Sequence, residues 1–293
     1  MGEWHPECPA RLDAINDQML ANGVAGLLAP RDAIPASDTD LRRVHTLRHI
    51  KLLNAWSPAE GYVEIDPDTL MNPHTLEAAY AAAGSGITAV DAVMRGEAHS
   101  AFCAIRPPGH HARPGQAMGF CFFNNLAVAV AYTLEKYGLN RIAIIDFDVH
   151  HGNGTEEIFA GNENVLMCSF YQKGLFPSVH TQNNAANMLN SPLDAYSTGE
   201  AVRRLVTEAW LPRLREFRPE FIFVSAGFDA HREDSLGQLR LVEDDYAWIT
   251  RQLVEIADTF SQGRIVSFLE GGYSLSALGR SVVAHLRELA KLA

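Results

Sequence analysis

The stretch "RIAIIDFDVHHGNGT", Arg141 to Thr155, decides how this sequence is read. A short run that is apolar on both faces ends in Asp146, Asp148, His150 and His151. If the segment continues as a strand, Asp146, Asp148 and His150 share one face, while Phe147, Val149 and His151 share the other. Two carboxylates and an imidazole on one buried edge repel each other or go unsatisfied unless a cation joins them. The competing reading is a hydrogen-bonded cluster without a metal.

Similar apolar runs recur along the chain: "AFCAI" at 101, "NVLMCSF" at 164, "FIFVSA" at 221 and "RIVSFL" at 264. Helical patterns alternate with them at Pro9 to Asn22, Leu76 to Arg95, Asn125 to Tyr137, Glu200 to Phe217, Val242 to Gln262 and Leu275 to Leu292. This alternation predicts an α/β fold with a central, mostly parallel sheet flanked by helices on both faces. Four runs end in polar or glycine-rich residues: "RPPGHHA", "DFDVHHGNGT", "GFDAHRED" and "EGGY". Ligands of open α/β sheets bind beyond the carboxyl ends of the strands, so the four ends are expected to form one site.

With 293 residues, 47% of them hydrophobic, the chain can bury a large core, and one domain over residues 1–293 is expected. A formal charge of -11 argues against a nucleic-acid surface and mildly favours cationic partners. Cys8, Cys103, Cys121 and Cys168 form no C-x-x-C pair, which fits a reducing cytosol better than a disulfide framework or zinc ribbon. The opening residues lack a signal-peptide pattern. No apolar run approaches the ~18 residues of a membrane span, so a cytoplasmic protein with no membrane partner is expected.

Asp229, at the end of "FIFVSAGFD", adds a third ligand to Asp148 and His150. Three protein ligands leave a position open for water, as catalytic metals require, and coordination chemistry alone admits zinc, manganese or iron(II). A water activated there needs a base, which His110 or His111 supplies, with Asp146 and Asn153 as candidate orienting partners. An aspartate partner favours imidazolium and an asparagine does not, so the pair divides into an electrostatic and a proton-transferring member. Tyr273 follows Gly271 and Gly272 and offers a phenol to an oxyanion. Phe120, after Gly119, and Phe176 offer two aromatic walls for an apolar chain.

"RPPGHHA", "GFCFFNN", "DFDVHHGNGT", "SAGFDAHRED" and "LEGGYS", in this order, resemble the signature of the histone deacetylase and acetylpolyamine amidohydrolase superfamily. The "RPP" and Asn153 are closer to its class II members. The resemblance implies an arginase-like deacetylase fold and a zinc ion on Asp148, His150 and Asp229. It implies His111 as general base and acid, His110 with Asp146 as electrostatic partner, and Tyr273 polarising the amide carbonyl. A potassium ion is implied near Asp146 and Ser169, with backbone carbonyls of Asp148, His150 and Phe170, and Arg11 matches an arginine beside an acetate channel. The expected substrate surface comprises Gly119, Phe120, Phe176, Leu236 and Gly271. Relatives carry a short strand before "HPE", where this chain nearly begins, so an edge strand is expected to be missing. Leu236 stands where polyamine-selective relatives place an acid, which favours acylated lysine over acetylpolyamines. Three rivals compete with this reading: a dimanganese ureohydrolase, which needs an extra carboxylate near Gly227; an acyl-lysine binding module, which predicts a broken constellation; and a metal-storage or purely structural role.

Overall fold

The structure, a computed structural model, describes residues 1–2, 4–177 and 185–292. Two short strands, β1 (Val63–Asp66) and β2 (Thr69–Met71), pair as an antiparallel hairpin. The main sheet contains β3 (Ser100–Cys103), β4 (Ile142–Asp146), β5 (Val165–Gln172), β6 (Met188–Leu193), β7 (Phe221–Ala226) and β8 (Ile265–Leu269). Its order is β3-β8-β7-β4-β5-β6, and every pairing is parallel.

The apolar runs explain the layering. Side chains alternate across a strand, so Ala143, Ile145, Ile222 and Val224 enter one core, and Ile142, Ile144, Phe221 and Phe223 the other. The first core is covered by α1 (Ala10–Ala21), α9 (Glu243–Phe260) and α10 (Leu275–Leu289), through Ile15, Leu253 and Val282 among others. The second is covered by α3 (Leu47–Trp56), α4 (Thr75–Met94) and α5 (Asn125–Tyr137). Small residues on α4, such as Ala79, Ala82 and Ala83, let that helix lie close to the sheet and α5.

From β4 the chain steps outward to β5 and β6, then returns to β7 on the opposite side of β4. This reversal opens a crevice between the carboxyl ends of β4 and β7, where ligands of such sheets bind. Asp146 is in register with Ser225, so both strands deliver their following residues at the same height.

Several elements differ from the sequence reading. The strand from Arg141 stops at Asp146. Beyond it, Asp146 Oδ1 accepts the Asp148 N–H at 3.1 Å, and Asp148 Oδ1 accepts the His150 N–H at 2.8 Å. These side-chain turns curl the backbone out of the sheet. Phe147 and Val149 nevertheless remain fully buried in the apolar core. The segment expected as one helix over 200–217 is α7 (Gly199–Leu205) and α8 (Leu211–Phe217) around a wider π turn, Val206–Trp210. Pro212 has no N–H for the Glu208 carbonyl, and the wider turn relieves the clash of its ring. The last helix ends at Leu289 rather than Leu292. No described helix is long and apolar enough to cross a membrane.

Candidate active site

Asp148, His150 and Asp229 meet at the β4/β7 crevice, their ligand atoms all within 4.8 Å of one another. His150 Nδ1 lies 3.0 Å from Asp148 Oδ1 and 3.1 Å from Asp229 Oδ2. The outer carboxylate oxygens are held by backbone: Gly271 N–H donates to Asp148 Oδ2 at 2.9 Å, and Val149 N–H to Asp229 Oδ1 at 2.9 Å. Both aspartates are buried. Burial, with the Asp148 charge, pushes the Asp229 carboxyl up to about 7. Burial alone would lower His150, but its bonds to Asp148 and Asp229 raise it to about 10. The two carboxylates therefore demand positive charge between them, either a proton on His150 or a metal ion. Tetrahedral zinc spaces its ligand atoms by roughly 3.4 Å, so this donor set fits one such ion.

Gly271 shows how tightly the site is built. A Cβ there would sit 2.0 Å from Asp229 Oδ2 and 2.7 Å from Asp148 Oδ2. At Gly227 a Cβ would lie 2.1 Å from Asp148 Oδ2, so no carboxylate side chain fits where a second bridging ligand would be needed.

The histidine pair follows β3, on a loop whose Arg106–Pro107 peptide is cis. His110 Nδ1 lies 3.1 Å from Asp146 Oδ2, and His111 Nδ1 lies 2.8 Å from Asn153 Oδ1. Their rings are 4.0 Å apart, and His111 is 6.0 Å from the His150 ring. Burial would lower His110, but the charges of Asp148 and Asp146 outweigh it and raise the ring to about 10. His111 is driven well below 6.5 by burial and then by the charges of His110 and His150. One imidazolium and one neutral imidazole thus stand side by side. Asn153 opens α6 (Asn153–Phe159).

Tyr273 packs its ring 5.9 Å from Phe120 and lies under the Arg11 guanidinium at 4.9 Å. Burial raises its phenol well above 10, with Arg11 opposing and Asp229 adding, so it remains a proton donor. Arg11 is buried, and it donates from Nε to Gly272 O at 2.7 Å and from Nη2 to Glu270 O at 2.5 Å. Phe176 meets the His111 ring edge-on at 4.9 Å. Gly119, at φ +55, leaves 2.6 Å between its missing Cβ position and both His111 and Phe176, so the "GF" turn needs glycine there. Phe120 thus packs beside Tyr273, and Phe176 beside His111. Leu236 is half-buried, and its N–H donates to Asp234 Oδ1 at 3.0 Å.

Ser169 is in register with Asp146 across β4 and β5; both are buried, and Ser169 Oγ lies 3.4 Å from Phe170 O. The Phe170 ring itself points into the core and stacks on Trp210. Burial raises the Asp146 carboxyl despite His110, so further positive charge beside it would be favourable.

Sequence reasoning missed the residues that hold these groups. Glu270 is buried and accepts from the N–H groups of Gly109, at 2.7 Å, and His110, at 3.1 Å, and from Ser225 Oγ at 3.0 Å. Its position directly before "GGY" was the available signal. Glu7 is buried, paired with Arg106 at 2.5 Å and Arg11 at 3.3 Å, and so ties the "HPE" segment to the histidine loop.

A profile of the histone deacetylase domain matches residues 5–289. The chain is 39% identical to the histone deacetylase-like amidohydrolase of Pseudomonas aeruginosa, over 97% of this chain and 77% of that protein. It is 38% identical to a probable deacetylase of Archaeoglobus fulgidus, over 92% and 77%. The crystal structure of the HDA15 HD domain superposes with a TM-score of 0.92 at 32% identity, covering 99% of this chain and 84% of that one. The chain thus has the deacetylase fold and belongs to the histone deacetylase family. It is a hydrolase of amide C–N bonds.

The cradle around the carboxylates gives a direct test. Gly271→Ala should keep the far-ultraviolet dichroism of the parent, and added zinc should raise its melting temperature by much less than it raises the parent's, because ligand stabilisation scales with affinity. An equal zinc-induced shift in both proteins would show that the close approach at Gly271 does not shape the site.

Proposed function

We propose that the protein is a zinc-dependent deacylase that removes acetyl or other short acyl groups from lysine-like amines. The observation that carries this reading is the unequal partnering of two adjacent buried histidines, His110 on a carboxylate and His111 on an amide, beside three converging metal ligands. A zinc ion held by Asp148, His150 and Asp229 would supply Lewis acidity to water and to the amide carbonyl.

The chain's own groups do the rest. Asn153 Oδ1 accepts the Nδ1 proton of His111, which leaves Nε2 free to take a proton from the attacking water. The same nitrogen then protonates the departing amine. His110, charged between Asp146 and Asp148, stabilises negative charge without needing to move a proton. Tyr273 donates its phenol proton in a hydrogen bond to the oxyanion. A potassium ion beside Asp146, Ser169 and the carbonyls of Asp148, His150 and Phe170 would offset the buried Asp146 charge.

Phe120, Phe176 and Leu236 bring no charge to the approach, which supports a substrate with an aliphatic stem and distant positive charges. An acyl-lysine side chain has that form, since acylation neutralises its amine. Acetylpolyamines keep ammonium groups close behind the amide, where desolvation is costly.

Tyr273→Phe should stay folded and keep its metal while kcat falls about 100- to 1,000-fold, the usual cost of one oxyanion donor. Steady-state kinetics giving a loss of less than about tenfold would remove Tyr273 from that role. For the substrate, kcat/KM for an acetyl-lysine peptide should exceed that for acetylspermidine or acetylputrescine, and Leu236→Glu should narrow or invert the ratio. A polyamine preference persisting at high salt would contradict the lysine assignment and leave the chemistry standing.

A further inference from the structure

The loop between β7 and α9 contributes a group that the proposed chemistry does not use. Asp234 is buried, 7% exposed, and both of its oxygens are engaged. Oδ2 accepts the N–H of Tyr273 at 2.6 Å and of Ser274 at 3.0 Å. Oδ1 accepts the N–H of Leu236 at 3.0 Å. A single carboxylate therefore fixes the backbone of the oxyanion donor and that of the rim residue, although these positions come from different strand ends.

The surrounding bonds show that this loop is a clasp. Gln238 and Gln172 exchange bonds at 2.7 and 2.9 Å, which pins the loop to the end of β5, four residues before Phe176. Glu233 pairs with Arg280 of α10 at 2.9 Å, on the helix that Ser274 begins. The loop thus touches the elements carrying Tyr273 on one side and those leading to Phe176 on the other.

We infer that Asp234 is a positioning residue that sets Tyr273 for the oxyanion and holds Leu236 at the rim, so that turnover and acyl-amine preference are coupled through one carboxylate. This rests on the deacylase reading for its catalytic half; the backbone coupling stands apart from it. Geometry explains why a small displacement matters: moving a reacting group by about 1 Å can cost on the order of 100-fold in rate. Removing the carboxylate would also leave the half-buried N–H groups of Tyr273 and Ser274 without their acceptor.

The test uses the full-length, zinc-loaded protein in two arms. In the first, amide hydrogen exchange is compared between parent and Asp234→Ala. Protection should fall together in the peptides covering residues 270–276 and 234–238 while β4 and β7 stay protected; unchanged protection in either peptide would overturn the coupling, whatever the protein hydrolyses. In the second, kcat and KM on an acetyl-lysine peptide are measured for Asp234→Ala, Asp234→Asn, Tyr273→Phe and the double variant Asp234→Ala/Tyr273→Phe. Asp234→Ala should lose about 100-fold in kcat with its zinc retained, and the double variant should be no slower than Tyr273→Phe, as for residues acting as a unit. Asp234→Asn has one carbonyl oxygen, which the paired N–H groups of Tyr273 and Ser274 favour over the single N–H of Leu236, so an acceptor is kept for Tyr273 and lost for Leu236. It should hold kcat within about tenfold of the parent while changing the ratio of kcat/KM between acetyl-lysine peptide and acetylspermidine. Losses that multiply in the double variant, or a metal-free Asp234→Ala, would make the residue a general stabiliser instead. A parent inactive on every acylated amine would refute the deacylase reading while the exchange arm still decides the coupling.

Discussion

Two carboxylates that share one imidazole nitrogen in a buried crevice are the constraint on which the rest of this structure depends. Asp148 and Asp229 follow adjacent parallel strands, and neither has water to dilute its charge. Such a pair is tolerable only with a cation between them. The surrounding construction serves that need: Gly271 and Gly227 offer no side chain that would fill the cradle, and backbone N–H groups at Val149 and Gly271 hold the outer oxygens so that the inner ones face His150. The charge of Asp148, with that of Asp146, extends to His110 and separates it from His111, which lies one residue away and has an amide for a partner.

Much of this was legible in the sequence because the core strands are apolar on both faces and end abruptly in chemistry. Runs such as "RIAII" and "FIFVSA" have one plausible place in a protein of this size, and the motifs following them must then meet. The elements that were not legible lack that contrast. β6 reads "MLNSPL", and Pro192 is acceptable there because the strand lies at the sheet edge, where one side needs no ladder partner. The hairpin of β1 and β2 is short and half polar, and α6 is hidden inside the "DFDVHHGNGT" motif itself.

The site was legible in its reactive residues and opaque in the residues that hold them. Candidate metal ligands and a histidine pair announce themselves by type and spacing. Glu270, Glu7 and Asp234 are ordinary acids until the fold shows which backbone N–H groups or guanidinium groups they meet. Side-chain turns, rather than a continued strand, carry the backbone past Asp146, and Asp146 and Asp148 both face His110 while Asp148 also meets His150. Periodicity recorded where the side chains go but not the backbone that takes them there.

The account stands or falls on a single catalytic metal held by three side chains. Metal content per chain, measured by plasma mass spectrometry after stripping with chelator and reloading with zinc, addresses it directly, with Asp229→Ala as the comparison. The account predicts close to one zinc per chain in the parent and essentially none in the variant; full zinc occupancy in Asp229→Ala, or two transition-metal ions per parent chain, would contradict it.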